Sequence, residues 1–265
     1  MEQTLLMSFR QSMAGIFPTS RQLHSPRPVA VPDSSEATLM NLWQDFLTND
    51  DRLIHKWTHY FPIYEKHLME WRNKSITILE IGVSKGGSLQ MWKRFFGPLA
   101  TIVGIDIDPN CKAFEEDGVH VRIGDQSDPA FLEALITEFG SFDIVLDDGS
   151  HQMAHINKTF EFLYPKVSKN GIYIVEDLHT AYWQEYGGGK DNPETFINIS
   201  KHFIDDLNAD HSRGTVEPNF ITRFTFSISY YDSVIVFQRG NIPLKKAPQT
   251  SIKNLATRLL SVDMS

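Results

Sequence analysis

The sequence predicts an α/β fold in which a mostly parallel, seven-stranded sheet carries helices on both faces behind a helical extension. Three observations predict it. Between residues 75 and 177, short apolar runs rich in Ile and Val alternate with longer helical patterns, as parallel strands and crossover helices do. The last two apolar runs, RFTFSISYY and SVIVFQRG, are separated only by Asp232, which predicts an antiparallel hairpin closing the sheet. Carboxylates collect where apolar runs end, and in open sheets of this kind ligands bind at the carboxyl ends of the strands.

In order along the chain, residues 1–17 read as a short helical arm and 18–35, with four prolines, as an extended linker. Two helical patterns follow, EATLMNLWQDFLT (36–48) and RLIHKWTHYFPIYEKHLMEW (52–71), the second kinked or split at Pro62. Strands are predicted at SITILEIGV (75–83), TIVGIDID (101–108), VHVRIGD (119–125), FDIVLDD (142–148) and GIYIVED (171–177). Helices are predicted at 88–96, 129–139, 155–167 and 193–210. The chain thus divides into an arm and linker (1–35), a helical segment packing on the core (36–72) and a main domain (73–265).

Composition bounds the function. At 265 residues, 41% hydrophobic and 22% charged, the chain buries a core without staples. A net charge of −8 without a basic stripe argues against a nucleic-acid partner. No apolar run is long enough to span a bilayer, and Glu2 and Arg10 interrupt the N-terminal residues where an export signal needs clean apolarity. A lone cysteine, Cys111, excludes an internal disulfide and points to a reducing cytoplasm.

Two strand ends carry the chemistry. FDIVLDDGSH (142–151) ends in Asp147 and Asp148 with His151 three residues on, and GIYIVEDLH (171–179) ends in Glu176 and Asp177. Acids gathered this way suit a hard divalent ion, and an imidazole beside them suits a base. The competing explanation is helix capping, strongest for Asp147. His151 and His155, four apart, would share a helix face as a metal pair, although a surface or supporting place suits His155 better. EIGVSKGGS (80–88) turns sharply at Gly82, Gly86 and Gly87; it matches neither the dinucleotide fingerprint nor the P-loop. Asp106, 20 residues after Gly86, stands where ribose hydroxyls are bound. Asp125 has the place to hold an adenine amino group, and Asp128 before Pro129 reads as a helix cap. His179, Tyr182 and Trp183 are candidates for the wall of an acceptor pocket, and YGGGKDNPE (186–194) reads as a mobile loop above it.

Taken together, LEIGVSKGGS, VGIDIDP, IGDQSD, VLDDGSH and YIVEDLHTAYW resemble the class I S-adenosylmethionine-dependent methyltransferases. More narrowly, they look like the metal-dependent sugar O-methyltransferases of macrolide biosynthesis, over roughly residues 75–240. The resemblance implies a Rossmann-like sheet of order 3-2-1-4-5-7-6 with strand 7 antiparallel. It implies magnesium, or manganese, on Asp148, Glu176 and Asp177, with His151 as base. The S-adenosylmethionine site then falls on Glu80, Gly82, Ser84, Gly86, Gly87, Ser88, Asp106, Asp125, Gln126 and Asp147. The implied activity is methyl transfer to a hydroxyl of a glycosylated or polyhydroxylated small molecule, by a homo-oligomer. Two other readings stand beside it: a catechol or phenol O-methyltransferase using the same metal, and a non-catalytic S-adenosylmethionine-binding accessory protein.

Overall fold

A computed structural model describes residues 41–240, 242 and 245–247. The predicted arm, linker and first residues of the 36–48 helix lie outside the described residues.

The sheet has seven strands in the order β3-β2-β1-β4-β5-β7-β6. They are β1 (Thr77–Ile81), β2 (Thr101–Asp106), β3 (Val119–Ile123), β4 (Ile144–Asp147), β5 (Ile172–Val175), β6 (Thr225–Tyr231) and β7 (Val234–Arg239). The first five pair in parallel, and β7 runs antiparallel to both β5 and β6. Side chains alternate across the sheet, so each strand feeds two cores. Ile78, Ile102, Ile144 and Ile172 face α1 (Leu42–Leu47), α2 (Phe61–Leu68) and α3 (Gly87–Phe96). Leu79, Val103, Val145 and Tyr173 face α4 (Pro129–Phe139), α5 (Met153–Leu163), α6 (Phe196–Leu207) and α7 (Phe220–Phe224).

Local signals set most boundaries. Asp128 accepts a hydrogen bond from the Ala130 N–H at 2.9 Å and starts α4, with Pro129 in its first turn. Gly97 and Gly140 end α3 and α4. Two helical expectations are corrected. Pro62 stands in the first turn of α2, where its missing N–H has no partner to lose, so it starts the helix instead of kinking it. Residues 53–57 have no regular secondary structure instead of the expected helix, because docking against the sheet overrides their propensity. The stretch from Pro109 to Phe114 is a 3-10 helix capped by Asp108. No helix among the described residues is long and apolar enough to cross a membrane.

Candidate active site

A groove runs along the carboxyl ends of β1 to β5. Its first part is a cavity of about 170 Å³ lined by Ile105, Ile107, Gly124, Asp125, Gln126, Ser150 and His155. Its second part, about 260 Å³, is lined by Val83, Ser84, Lys85, Ser88, Asp148, His151, Asp177 and Lys56. Gly82, Asp106 and Gly149 belong to both walls, so the parts are continuous.

The turn after β1 is held by Asp106. Its Oδ2 accepts the N–H groups of Val83 and Ser84, each at 2.9 Å, and its Oδ1 accepts the Asp108 N–H. Although burial acts the other way, these bonds hold the carboxyl below its ordinary value. Gly82, at φ +96°, passes so close to the Asp148 carbonyl that a Cβ would sit 2.2 Å from it. Thus β1 and β4 meet at the groove floor.

Of the residues expected at the cofactor site, Gly82, Ser84, Ser88, Asp106, Asp125 and Gln126 line the groove. Four do not. Glu80 is fully buried and accepts from Ser88 Oγ (2.8 Å) and Trp92 Nε1 (3.1 Å). Gly86 is the left-handed cap of α3 against Phe114, and Gly87 lies under the carbonyls of Arg52 and Leu53. Asp147 is buried, accepting from Gln126 Nε2 (3.1 Å) and Tyr173 OH (3.0 Å). Burial pushes its carboxyl up to about 7. Asp147 therefore fixes Gln126, whose Oε1 in turn accepts the Ser150 N–H at 2.8 Å.

The acids beyond β4 and β5 converge. One ligand atom from each of Asp148, His151 and Asp177 lies within 4.8 Å of the others. His151 Nε2 is 3.9 Å from Asp148 Oδ1 and 3.7 Å from Asp177 Oδ2. His151 precedes α5, so it does not share a helix face with His155; that histidine lines the first cavity and pairs with Ser150 Oγ at 3.0 Å. Glu176 stands behind the trio, fully buried.

Each acid gives one oxygen to a protein donor. Lys56 Nζ donates to Asp148 Oδ2 (2.6 Å) and Glu176 Oε2 (2.9 Å), and Tyr60 OH donates to Asp177 Oδ1 (2.6 Å). Glu176 Oε1 is buried with no hydrogen-bond partner. Burial raises the Glu176 carboxyl, with Lys56 opposing. For Lys56 itself, burial lowers the pKa, but Asp148 and Glu176 outweigh it and the net shift is upward. The open oxygens of Asp148 and Asp177, with His151 beside them, fit a hard cation such as magnesium; Glu176, expected as a third acid ligand, lies outside that cluster, its unpartnered Oε1 buried. The sequence reading missed Lys56 and Tyr60: a lysine and a tyrosine inside a helical pattern carry no distinguishing mark.

The acceptor candidates form a rim. Rings run from Trp57 through His179 (5.7 Å), Trp183 (4.9 Å) and Tyr186 (5.9 Å) to His151 (6.3 Å). Trp57 was not foreseen, and exposed Tyr182 stands outside this chain of rings. The loop expected to be mobile is tied down. Gly188 and Gly189 donate to Trp183 and Ala181 carbonyls at 2.8 Å, and Asn198 donates to the Asn192 carbonyl at 2.7 Å.

The strand order, the glycine turn after β1 and the acids beyond β4 and β5 define the fold of a class I S-adenosylmethionine-dependent methyltransferase. Within that class, the chain is a relative of the macrocin- and mycinamicin-type sugar O-methyltransferases. It is 36% identical over 203 residues to a demethylmacrocin O-methyltransferase of Streptomyces fradiae, covering 70% of this chain and 50% of the relative. It is 37% identical over 198 residues to a mycinamicin VI 2''-O-methyltransferase of Micromonospora griseorubida, covering 69% and 48%. The solved structure of MycE methyltransferase from the mycinamycin biosynthetic pathway, in complex with Mg, SAH and mycinamycin VI, superposes with a TM-score of 0.68. That match has 32% identity and covers 84% of this chain and 60% of that one. The chain spans about half the length of the curated relatives it matches. No protein-family model matches it.

Proposed function

We propose that this chain is a metal-dependent O-methyltransferase that moves a methyl group from S-adenosylmethionine to a hydroxyl of a glycosylated small molecule. The observation that carries the proposal is the position of His151: its Nε2 lies 3.9 Å from Asp148 and 3.7 Å from Asp177 beside the cofactor-sized groove. When bound, S-adenosylmethionine supplies an electrophilic methyl group, and magnesium lowers the pKa of a hydroxyl that it binds. The Val83–Ser84 turn, pinned by Asp106, and the Asp125–Gln126 corner line the cofactor groove. Asp148 and Asp177 would hold the ion through their open oxygens, with Glu176 buried behind them. His151 Nε2 takes the proton of the acceptor hydroxyl as the new bond forms. The rings of Trp57, His179, Trp183 and Tyr186 offer apolar faces to a sugar ring and orient the hydroxyl. Further relatives, named for methylating a rhamnosyl tetracenomycin or an olivosyl-oleandolide, support a glycoside over a catechol, and single, buried Cys111 supports a reducing compartment.

The test is transfer of labelled methyl from S-adenosylmethionine, with magnesium, to a panel of glycosides and catechols. Glycoside labelling by the wild type is expected, and His151→Ala should lower it by roughly 100-fold. Calorimetry should find affinity for S-adenosylhomocysteine unchanged in that variant. Labelling of catechols alone would overturn the acceptor class, and full turnover without His151 would overturn the base.

A further inference from the structure

The stretch from Arg52 to Tyr60 precedes the sheet, yet it supplies the donors that hold the acids. Its backbone crosses the start of α3 so closely that a Cβ on Gly87 would meet the carbonyl oxygens of Arg52 and Leu53 at 2.5 and 2.4 Å. From there the segment carries Lys56 into the interior, where its side chain is only 3% exposed. Its ammonium reaches three carboxylates from three different strand ends: Asp148 at 2.6 Å, Glu176 at 2.9 Å and Glu80 at 3.6 Å.

We infer that Lys56 is the resident counter-ion of this cluster, a positioning residue that keeps Glu176 and Asp148 assembled without a divalent ion. The inference rests on the proposed reading of Asp148 and Asp177 as the groups that hold the ion. A buried carboxylate without a counter-charge is strongly disfavoured, and so is a buried ammonium. Glu176 depends on Lys56 more than its neighbours do. Glu80 has Ser88 and Trp92 as further donors, and Asp148 is partly exposed to water, but Glu176 is fully buried, with Lys56 as its cation and only the neutral, buried Tyr64 hydroxyl beside it. An ammonium is a compact charge with its N–H donors on one centre, which suits two acceptors and a third, slightly more distant carboxylate around a point; the flat fork of arginine does not. Lys56 takes Asp148 Oδ2 and Glu176 Oε2 and leaves their partner oxygens open. The repulsion among the acids is therefore relieved before any ion arrives, and folding of the site is uncoupled from metal binding.

Thermal unfolding of the wild type, Lys56→Met and the double variant Lys56→Met/Glu176→Gln, each in excess chelator and in magnesium, tests this. In chelator, Lys56→Met should melt about 8 °C or more below the wild type, the scale of a broken buried ion pair. Magnesium should raise its midpoint by at least about twice the wild-type rise, since the ion replaces the missing charge. The double variant should recover about half of the loss or more, because a neutral amide in place of the Glu176 carboxylate needs no counter-ion. A merely space-filling lysine predicts neither the larger magnesium response nor the recovery. If Lys56→Met fails to fold, a double variant that folds supports the inference. A double variant that fails with it overturns the inference, as does Lys56→Met melting with the wild type in chelator. These melts contain neither cofactor nor acceptor, so absence of methyl transfer would sink the functional proposal and leave this one standing.

Discussion

Ser84, His151 and Asp177 hold positive φ angles of 51°, 56° and 54°, and all three line the second part of the groove. A left-handed residue other than glycine costs roughly 1 kcal/mol or more, so three around one cavity mark a place where surrounding contacts over-determine the backbone. At Asp177 those contacts are visible. Tyr60 OH donates to Asp177 Oδ1 at 2.6 Å and accepts the Asp177 N–H at 3.2 Å, clamping side chain and backbone together. Tyr60→Phe should therefore loosen Asp177 while leaving the cofactor groove intact. Manganese affinity, read by electron paramagnetic resonance, should fall about 10-fold, the usual scale for losing a partner that orients a metal ligand. Calorimetry with S-adenosylhomocysteine should show no comparable loss. An unchanged manganese affinity would reduce Tyr60 to a packing residue.

Strand ends made most of this site legible, since acids after apolar runs stand out in any sequence. Asp148, Glu176 and Asp177 were read that way, and Asp128 was read correctly as a helix cap. Asp147 was misread because adjacent strand residues face opposite ways; one position earlier than Asp148, its side chain goes into the core. The 52–57 segment was illegible for a different reason. Its apolar spacing mimics a helix, and long-range contacts, the approach to Gly87 and the Lys56 ion pairs among them, hold it out of one. That element-level contact has its own test. Gly87→Ala should gain slightly from helix propensity at the start of α3 but lose more from the clash with two carbonyls. A net loss of about 2 kcal/mol is expected in urea unfolding. The variant should also lose glycoside methylation, because the element that carries Lys56 and Trp57 is displaced. A variant as stable as the wild type would show that the segment can move aside at no cost.

Across the whole molecule, the order β3-β2-β1-β4-β5-β7-β6 gathers residues that are remote in sequence. β1 and β4 are neighbours although α3, β2, a 3-10 helix, β3 and α4 lie between them in sequence, and the groove opens where the chain changes direction along the sheet. Alternating strands and helices plus the closing hairpin made the parallel sheet and its antiparallel edge readable in the sequence, whereas the strand order came only with the resemblance to the methyltransferases. The Lys56 contacts carry the same remoteness into the order of assembly. They join Lys56 to Asp148, 92 residues away, and to Glu176, 120 residues away. Closing loops of that length is entropically costly, and both acids reach their places only after β4 and β5 have paired. The bonds should then form on the native side of the rate-limiting barrier, late in folding. Lys56→Met is accordingly expected to leave the refolding rate nearly unchanged and to raise the unfolding rate by roughly 10-fold or more, as seen by stopped-flow tryptophan fluorescence. Slower refolding with unaltered unfolding would mean that the segment docks early and guides the sheet. With the expected result, Lys56 acts as a latch set after the fold has closed, and it governs how long the native state lasts more than how fast it is reached.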